Sequence, residues 1–308
     1  MKYCFGPVPS RRLGLSLGVD ILPLKTCNLN CIYCELGASS EMTSIRREYY
    51  PAEEIKKEIL ETVEQGITFD ALTFSASGET TLHSRLGELI AFAKKQTEKP
   101  VVVITNGTTL ENMEVRSELA GADIVMPSLD AATSDTFRRI NRPCGNMRPD
   151  NIIDGMASFR QEFDGRLWLE ILFVKGVNDS DRDIEALLHA VEAINPDRVQ
   201  LNTVNRPPAE PWVDPLSEGE MTEICKRFGK KADVIADFHK KDKGNARLLL
   251  EKEIVETLRR RPISFEDIEE MMGADARFLK KLLNSMEHKG IIERVTVAGR
   301  TFFRIKSE

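Results

Sequence analysis

Along the chain, short apolar runs alternate with longer segments whose apolar residues recur at helical spacing. Residues 19–24 form the first apolar run and read as a strand. In residues 51–65, Ile55, Ile59, Leu60 and Val63 fall on one helical face among charged residues, with Pro51 at the start. Strands are expected at 70–75, 100–105, 122–127, 166–174 and 198–204, with a short edge strand at 232–238. Helices are expected at 83–96, 110–119, 133–140, 151–163, 180–194 and 217–228.

Mostly apolar strands separated by helices predict βα units and a parallel sheet covered by helices. Six units fit an open, partial TIM-like barrel better than a closed eightfold one, so the fold class is α/β with a partial (β/α)6 barrel. In such a layout, chemistry gathers on the loops that leave the C-terminal ends of the strands. Polar clusters recur there, at 75–81 (SASGETT), 105–108 (TNGT), 128–130 (SLD) and 202–203 (NT).

Residues 239–246 are polar, charged and contain glycine, which marks a linker after a barrel spanning 1–238. Beyond it, helices are expected at 248–258, from Ser264 to Gly273 and at 275–288. Ser264 and Asp267 form a capping pair, and Gly290 is a C-cap. Strands at 291–297 and 300–305 meet through Ala298-Gly299. Three helices and a hairpin over 247–308 predict a small winged helix-turn-helix.

Composition narrows the function classes. Of the 308 residues, 41% are hydrophobic and 30% charged, with a net charge of −6, which argues against a dedicated polyanion binder. No window approaches the ~18 apolar residues of a membrane span, and the first ten residues hold no signal-peptide core. A cytoplasmic, reducing setting is therefore expected, and the six cysteines do not read as a disulfide framework.

Three of those cysteines, Cys27, Cys31 and Cys34, sit together in KTCNLNCIYCELG with C-x3-C-x2-C spacing, just after the first apolar run. Packing cysteines scatter through apolar segments, whereas these alternate with Asn28, Asn30 and Glu35. They read as metal ligands. Zinc asks for a fourth ligand, and none of His83, His189, His239 and His288 is spaced to supply it. A 4Fe–4S cluster with three protein thiolates leaves one iron open to a small chelating molecule. The residues by themselves leave both metals open.

The motif, with Tyr33 before its last cysteine, resembles that of the radical S-adenosylmethionine superfamily, whose fold is a (β/α)6 partial barrel. The resemblance implies that Cys27, Cys31 and Cys34 hold a 4Fe–4S cluster and that S-adenosylmethionine is the second cofactor. It implies that Ser77-Gly78-Glu79, with the following Thr80, stands where the family carries a Gly-Gly-Glu turn, with Glu79 toward the methionine ammonium. Asn106, Ser128 and Asp130 occupy positions that contact the methionine carboxylate and ribose in such enzymes, and Asn202 lies toward the adenine side. A flavodoxin- or ferredoxin-like reductant is implied as a partner. The segments 5–14, 128–131 and 140–143 are similar to iron–sulfur oxidoreductases related to wyosine-base synthases, although only Cys4 stands where those synthases carry a second cluster.

The expected activity is abstraction of hydrogen from an unidentified tRNA, protein or other substrate. Cys144 is a candidate hydrogen-atom donor, and Arg11-Arg12 a candidate anion contact. The alternatives are a redox regulator that binds DNA, or an activase for a glycyl-radical enzyme. The C-terminal region carries Arg277, Lys280, Lys281, Lys289, Arg294, Arg300 and Arg304, but Glu266, Asp267, Glu269 and Glu270 nearly balance them. That balance favours a protein partner over nucleic acid.

Overall fold

A computed structural model describes residues 2–39, 42–236, 251–272 and 276–306. The large sheet has eight strands whose spatial order follows their order in the chain. They are β1 (Cys4–Ser10), β2 (Gly14–Val19), β3 (Ala71–Phe74), β4 (Val101–Thr105), β5 (Ile124–Pro127), β6 (Arg166–Phe173), β7 (Arg198–Thr203) and β8 (Ala232–Val234). Neighbours from β2 to β8 pair in parallel, while β1 pairs antiparallel with β2. The crossovers run through α1 (Ala52–Glu64), α2 (Leu86–Gln96), α3 (Met113–Leu119), α4 (Ser134–Ile140), α5 (Pro149–Glu162), α6 (Asp181–Ile194) and α7 (Glu218–Phe228). β2 to β7 are the six strands of the expected partial barrel. A continuous core of fully buried residues, from Leu17 and Ile55 to Phe159 and Leu201, lies between strands and helices.

The first strand departs from the sequence reading. Its apolar run at 19–24 contributes only Val19 to β2, and the strand comes instead from GLSLGV. Glycines at 14 and 18 hide that strand from an apolar-run reading. Gly18 is needed because an added Cβ would stand 2.1 Å from the ring of Phe5 on β1. Ile21 and Leu22 are buried all the same, in the irregular segment that leads to the cysteines. The edge strand β1 was not expected either, since its two prolines suit only a sheet edge. Glu58 of α1 pins it by accepting from the backbone N–H groups of Lys2, Tyr3 and Cys4, each at 2.9 Å.

The C-terminal unit contains α8 (Glu251–Leu258), β9 (Ile263–Ser264), α9 (Phe265–Met272), α10 (Ala276–His288), β10 (Ile292–Val297) and β11 (Arg300–Ile305). Its antiparallel sheet has the order β10-β11-β9. The Ser264 hydroxyl accepts from Asp267 N–H at 3.2 Å while Asp267 accepts from Ser264 N–H at 3.2 Å, the capping pair expected there. Ala298 and Gly299 both adopt positive φ, as a two-residue hairpin turn requires. The expected linker, the start of the helix at 248 and the stop at Gly273 lie outside the described residues. Val8 of β1 shares a buried core with Ile254, Leu258, Leu279 and Phe303, so the edge strand is packed by the barrel on one side and the C-terminal unit on the other.

Among the described residues, no helix is long and apolar enough to cross a membrane. Because Glu58 alone gathers three N–H groups of the first residues, Glu58→Ala is expected to lower the unfolding free energy by about 1–3 kcal/mol. Urea denaturation of the variant against wild type checks this.

Candidate active site

The cysteine loop leaves β2 and crosses the C-terminal ends of the neighbouring strands. Backbone pairing holds it there: Thr26 bridges to Gly78, Cys27 to Met42 and Leu29 to Pro143. Gly78 is required for this approach, because a Cβ would fall 1.9 Å from the Thr26 carbonyl oxygen. The N–H of Glu79 donates to the same oxygen at 2.9 Å. A cavity at this edge is lined by Cys27, Tyr33, Gly78, Glu79, Asn106 and Asp130, with Thr80, Ser128 and Asn141 completing its polar wall.

Glu79 accepts four hydrogen bonds in the cavity wall. It is 1% exposed. Its Oε1 accepts from Thr81 N–H (3.0 Å), Thr81 Oγ1 (2.5 Å) and Thr105 Oγ1 (2.6 Å), and its Oε2 from Asn106 N–H (2.6 Å). Burial pushes its carboxyl above the usual range, and these donors pull the other way. Asn106 extends the network, because its Nδ2 donates to Asn28 Oδ1 at 2.8 Å and lies 3.7 Å from Cys27 Sγ.

A second network surrounds Cys31. Asp130 is buried, and burial raises its carboxyl. The Tyr33 hydroxyl and Asn141 Nδ2 (2.7 Å) donate to its Oδ2, and Leu172 N–H donates to its Oδ1 at 3.0 Å. Asn141 Nδ2 also lies 3.3 Å from Cys31 Sγ, while its Oδ1 is buried with no donor. Asp130 therefore positions Tyr33 and Asn141, and Asn141 presents a buried acceptor with no donor to the cavity wall.

The other expected residues divide by location. Ser77 N–H donates to Asp20 Oδ1 at 2.9 Å and its hydroxyl to Asp20 Oδ2, while Arg260 of the C-terminal unit pairs with that carboxylate at 3.3 Å. The serine thus ties the turn to the C-terminal unit. Asn202 stands apart from the cavity lining and donates to Glu170 Oε1 at 2.9 Å. Arg12, grouped with Arg11 as a candidate anion contact, is instead largely buried and paired with Glu170 inside the barrel. Burial works against it, but Arg12 and Asn202 hold the Glu170 carboxyl below its usual range. Cys144 lies beside the cysteine loop, its N–H donating to Asn28 O at 2.9 Å.

Sequence reasoning missed Asn28, Thr105 and Asn141. The first alternates with the cysteines and the second closes an apolar strand. Asn141 is remote in sequence, and only the fold carries it to Cys31.

The thiols can be tested against a metal group. Burial, then Glu79, pushes Cys27 up to about 12, and burial, then Asp130, raises Cys31 well above its ordinary value. Bare thiols here stay protonated near neutral pH, and a bound metal is what would make them thiolates. Amide N–H groups already point at sulfur, from Leu29 to Cys27 at 3.4 Å and from Asn106 and Asn141 as above, which suits thiolate ligands. Among the described residues, no three His, Cys, Asp or Glu side chains converge on one point as around a single ion. Three thiols, with amide donors approaching Cys27 and Cys31, are a donor set that fits an iron–sulfur cluster.

Comparison with known proteins agrees. Residues 21–189 match the model of the "Radical SAM superfamily". The chain is 37% identical over 301 residues to the protein named "GTPase Obg" of Brachyspira hyodysenteriae, covering 97% of this chain and 44% of that one. To a UPF0026 protein of Helicobacter pylori it is 34% identical over 308 residues, covering 94% of each. The fold is similar to that of Streptococcus suis SuiB bound to S-adenosylmethionine, with a TM-score of 0.53 and 16% identity, over 72% of this chain and 51% of that one. The chain thus spans less than half of the first relative and about half of the solved neighbour.

Glu79→Ala would strand buried donors on Thr81, Thr105 and Asn106, each worth about 1–3 kcal/mol. It is expected to lower stability by at least about 2 kcal/mol, and Glu79→Gln by less. Denaturation of the two variants in parallel distinguishes the loss of the acceptor from the loss of charge.

Proposed function

The chain belongs to the Radical SAM superfamily, and on that premise we propose that Cys27, Cys31 and Cys34 hold a 4Fe–4S cluster. Ser77, Gly78, Glu79, Thr80, Asn106 and Ser128 would shape the adjoining S-adenosylmethionine site, with Asp130 acting through Tyr33 and Asn141. The protein is an enzyme of the radical class, whose cofactors are that cluster and S-adenosylmethionine. When bound, they supply one-electron cleavage of a sulfonium carbon–sulfur bond and, through it, abstraction of a hydrogen atom from a substrate.

The observation that carries the reading is Asn106. Its backbone N–H is fixed by Glu79 and its side-chain amide reaches Asn28 and Cys27, so one residue joins the third and fourth strand ends to the cysteine loop. The chain's own part is then orientation. Glu79 fixes the turn and the Asn106 backbone, and the Asn141 Oδ1 offers an acceptor to an ammonium or hydroxyl. Leu29, Phe137 and Ile152 line the cavity as a water-excluding wall. Asn202, which donates to Glu170, is the candidate for the adenine side. The thiol of Cys144, held against the cysteine loop, is the candidate for hydrogen-atom donation.

A flavodoxin- or ferredoxin-like protein would supply the electron. We propose that the hydrogen atom comes from a macromolecular substrate, a tRNA or a protein. We read 1–238 as the barrel, 239–246 as a linker and 247–308 as a winged helix. Its cations favour a protein partner over DNA. Arg294 pairs with Glu287 at 3.0 Å, Arg304 with Glu293 at 2.6 Å, and Lys280 lies over the Phe265 ring.

Anaerobic reconstitution with iron and sulfide is expected to give a 4Fe–4S absorption spectrum and about four irons per chain. Dithionite with S-adenosylmethionine is expected to release 5′-deoxyadenosine. Replacing Cys27, Cys31 and Cys34 together by alanine should abolish both. Normal iron content in that triple variant would sink the assignment of the ligands.

A further inference from the structure

A second cleft, of about 630 Å³, lies between the outer side of the cysteine loop and the C-terminal unit. Its size falls within the roughly 300–1,000 Å³ of small-molecule sites. Lys25, Glu35 and Leu36 form one wall, and the segment from Arg259 to Pro262 with Arg304 forms the other. Cations outnumber acids in this lining, because Lys2, Lys25, Arg304 and the three consecutive arginines meet only Asp20 and Glu35 among the described residues.

Both acids are already engaged. Asp20 accepts from Ser77 and pairs with Arg260, and Glu35 pairs with Arg206 at 3.1 Å. Lys25 Nζ donates to the Ala38 carbonyl, and Arg304 is held by Glu293. Arg261 differs from these neighbours. Its Nε is buried without any partner. Burial first, then the like charge of Arg206, pulls its guanidinium down to about 10. Glu35 and Asp267 pull the other way, but neither gives the buried Nε an acceptor. An unmet donor is costly, and the flat fork of the guanidinium suits an oxyanion. The remaining surface of the cleft is apolar. Leu24, 59% exposed, stands there with Leu22, Tyr50 and Pro207.

We propose that this cleft is a binding site for a small anionic molecule, whose phosphate or carboxylate group meets Arg261 while its apolar body rests on Leu24, Tyr50 and Pro207. The cleft shares no lining residue with the strand-end cavity and touches the cofactor turn only at Ser77. A ligand bound in it bridges the cysteine loop and the C-terminal unit.

Calorimetric titration of the full-length protein with inorganic pyrophosphate and with citrate, at constant ionic strength, tests the site. Wild type is expected to bind at least one probe, pyrophosphate marking a phosphate site and citrate a carboxylate site. Arg261→Met is expected to weaken that binding at least about tenfold, the effect of one lost charge-assisted hydrogen bond. Its thermal midpoint should stay equal or rise, because a side chain with an unmet buried donor has become an apolar chain of similar length. A residue with only a structural role would lower the midpoint and leave the titration unchanged. If Arg261→Met yields no folded protein, Leu24→Glu decides, since it sets a carboxylate on the exposed wall and should weaken the same binding. The proposal is overturned if wild type binds neither probe, or if the deciding variant keeps wild-type affinity. Release of 5′-deoxyadenosine by the reconstituted enzyme reports on the cofactor reading separately, and Arg261→Met is expected to retain it.

Discussion

One buried carboxylate organises the strand-end edge that carries the cysteine loop. Glu79 takes donors from the turn after β3 and from the end of β4, and through Asn106 it also sets the position of Asn28 and Cys27. A carboxylate taken out of water is costly unless nearly every lone pair is met. Here that requirement makes three loops from separate parts of the chain adopt one arrangement. The cysteine loop has little regular structure of its own and borrows rigidity from this knot and from its backbone bridges to Gly78 and Pro143.

The same economy recurs around Asp130, which holds Tyr33 and Asn141 and so braces Cys31 from the far side. Both carboxylates act as positioning groups, and both raise the pKa of the nearest thiol. Bare, the loop resists deprotonation. A metal group reverses the balance by supplying the positive charge that the surroundings lack. Assembly of the cofactor and ordering of the loop are therefore expected to be coupled.

The C-terminal unit takes part in this arrangement. Arg260 reaches Asp20, which in turn holds both the N–H and hydroxyl of Ser77. The serine at the head of the Ser77-Gly78-Glu79 turn thus makes a second hydrogen bond to Asp20, through a hydroxyl that a glycine lacks. Val8 and Phe5 of the edge strand pack into the C-terminal core, and the cationic cleft opens along this junction. A ligand or protein that shifts the C-terminal unit acts on a chain of contacts that ends at the cofactor turn.

Much of this was legible in the residues. Five of the six parallel strands, their helices, the hairpin turn at Ala298-Gly299 and the capping pair at Ser264 follow from periodicity and turn chemistry, which depend on neighbours a few positions apart. The C-x3-C-x2-C spacing is local too, so the candidate ligands stood out. The first strand did not, because its glycines answer to the ring of Phe5 across the hairpin. Only the tertiary structure could bring Asn141 to Cys31, give Asp130 its partners Tyr33 and Asn141, bury Arg12 against Glu170 and leave the Arg261 Nε without an acceptor. The physical reason is the same in each case. Whether a polar group is free to bind depends on which distant partners already satisfy it, and that is decided by packing across the fold, whereas helices, strands and ligand spacing are written along the chain.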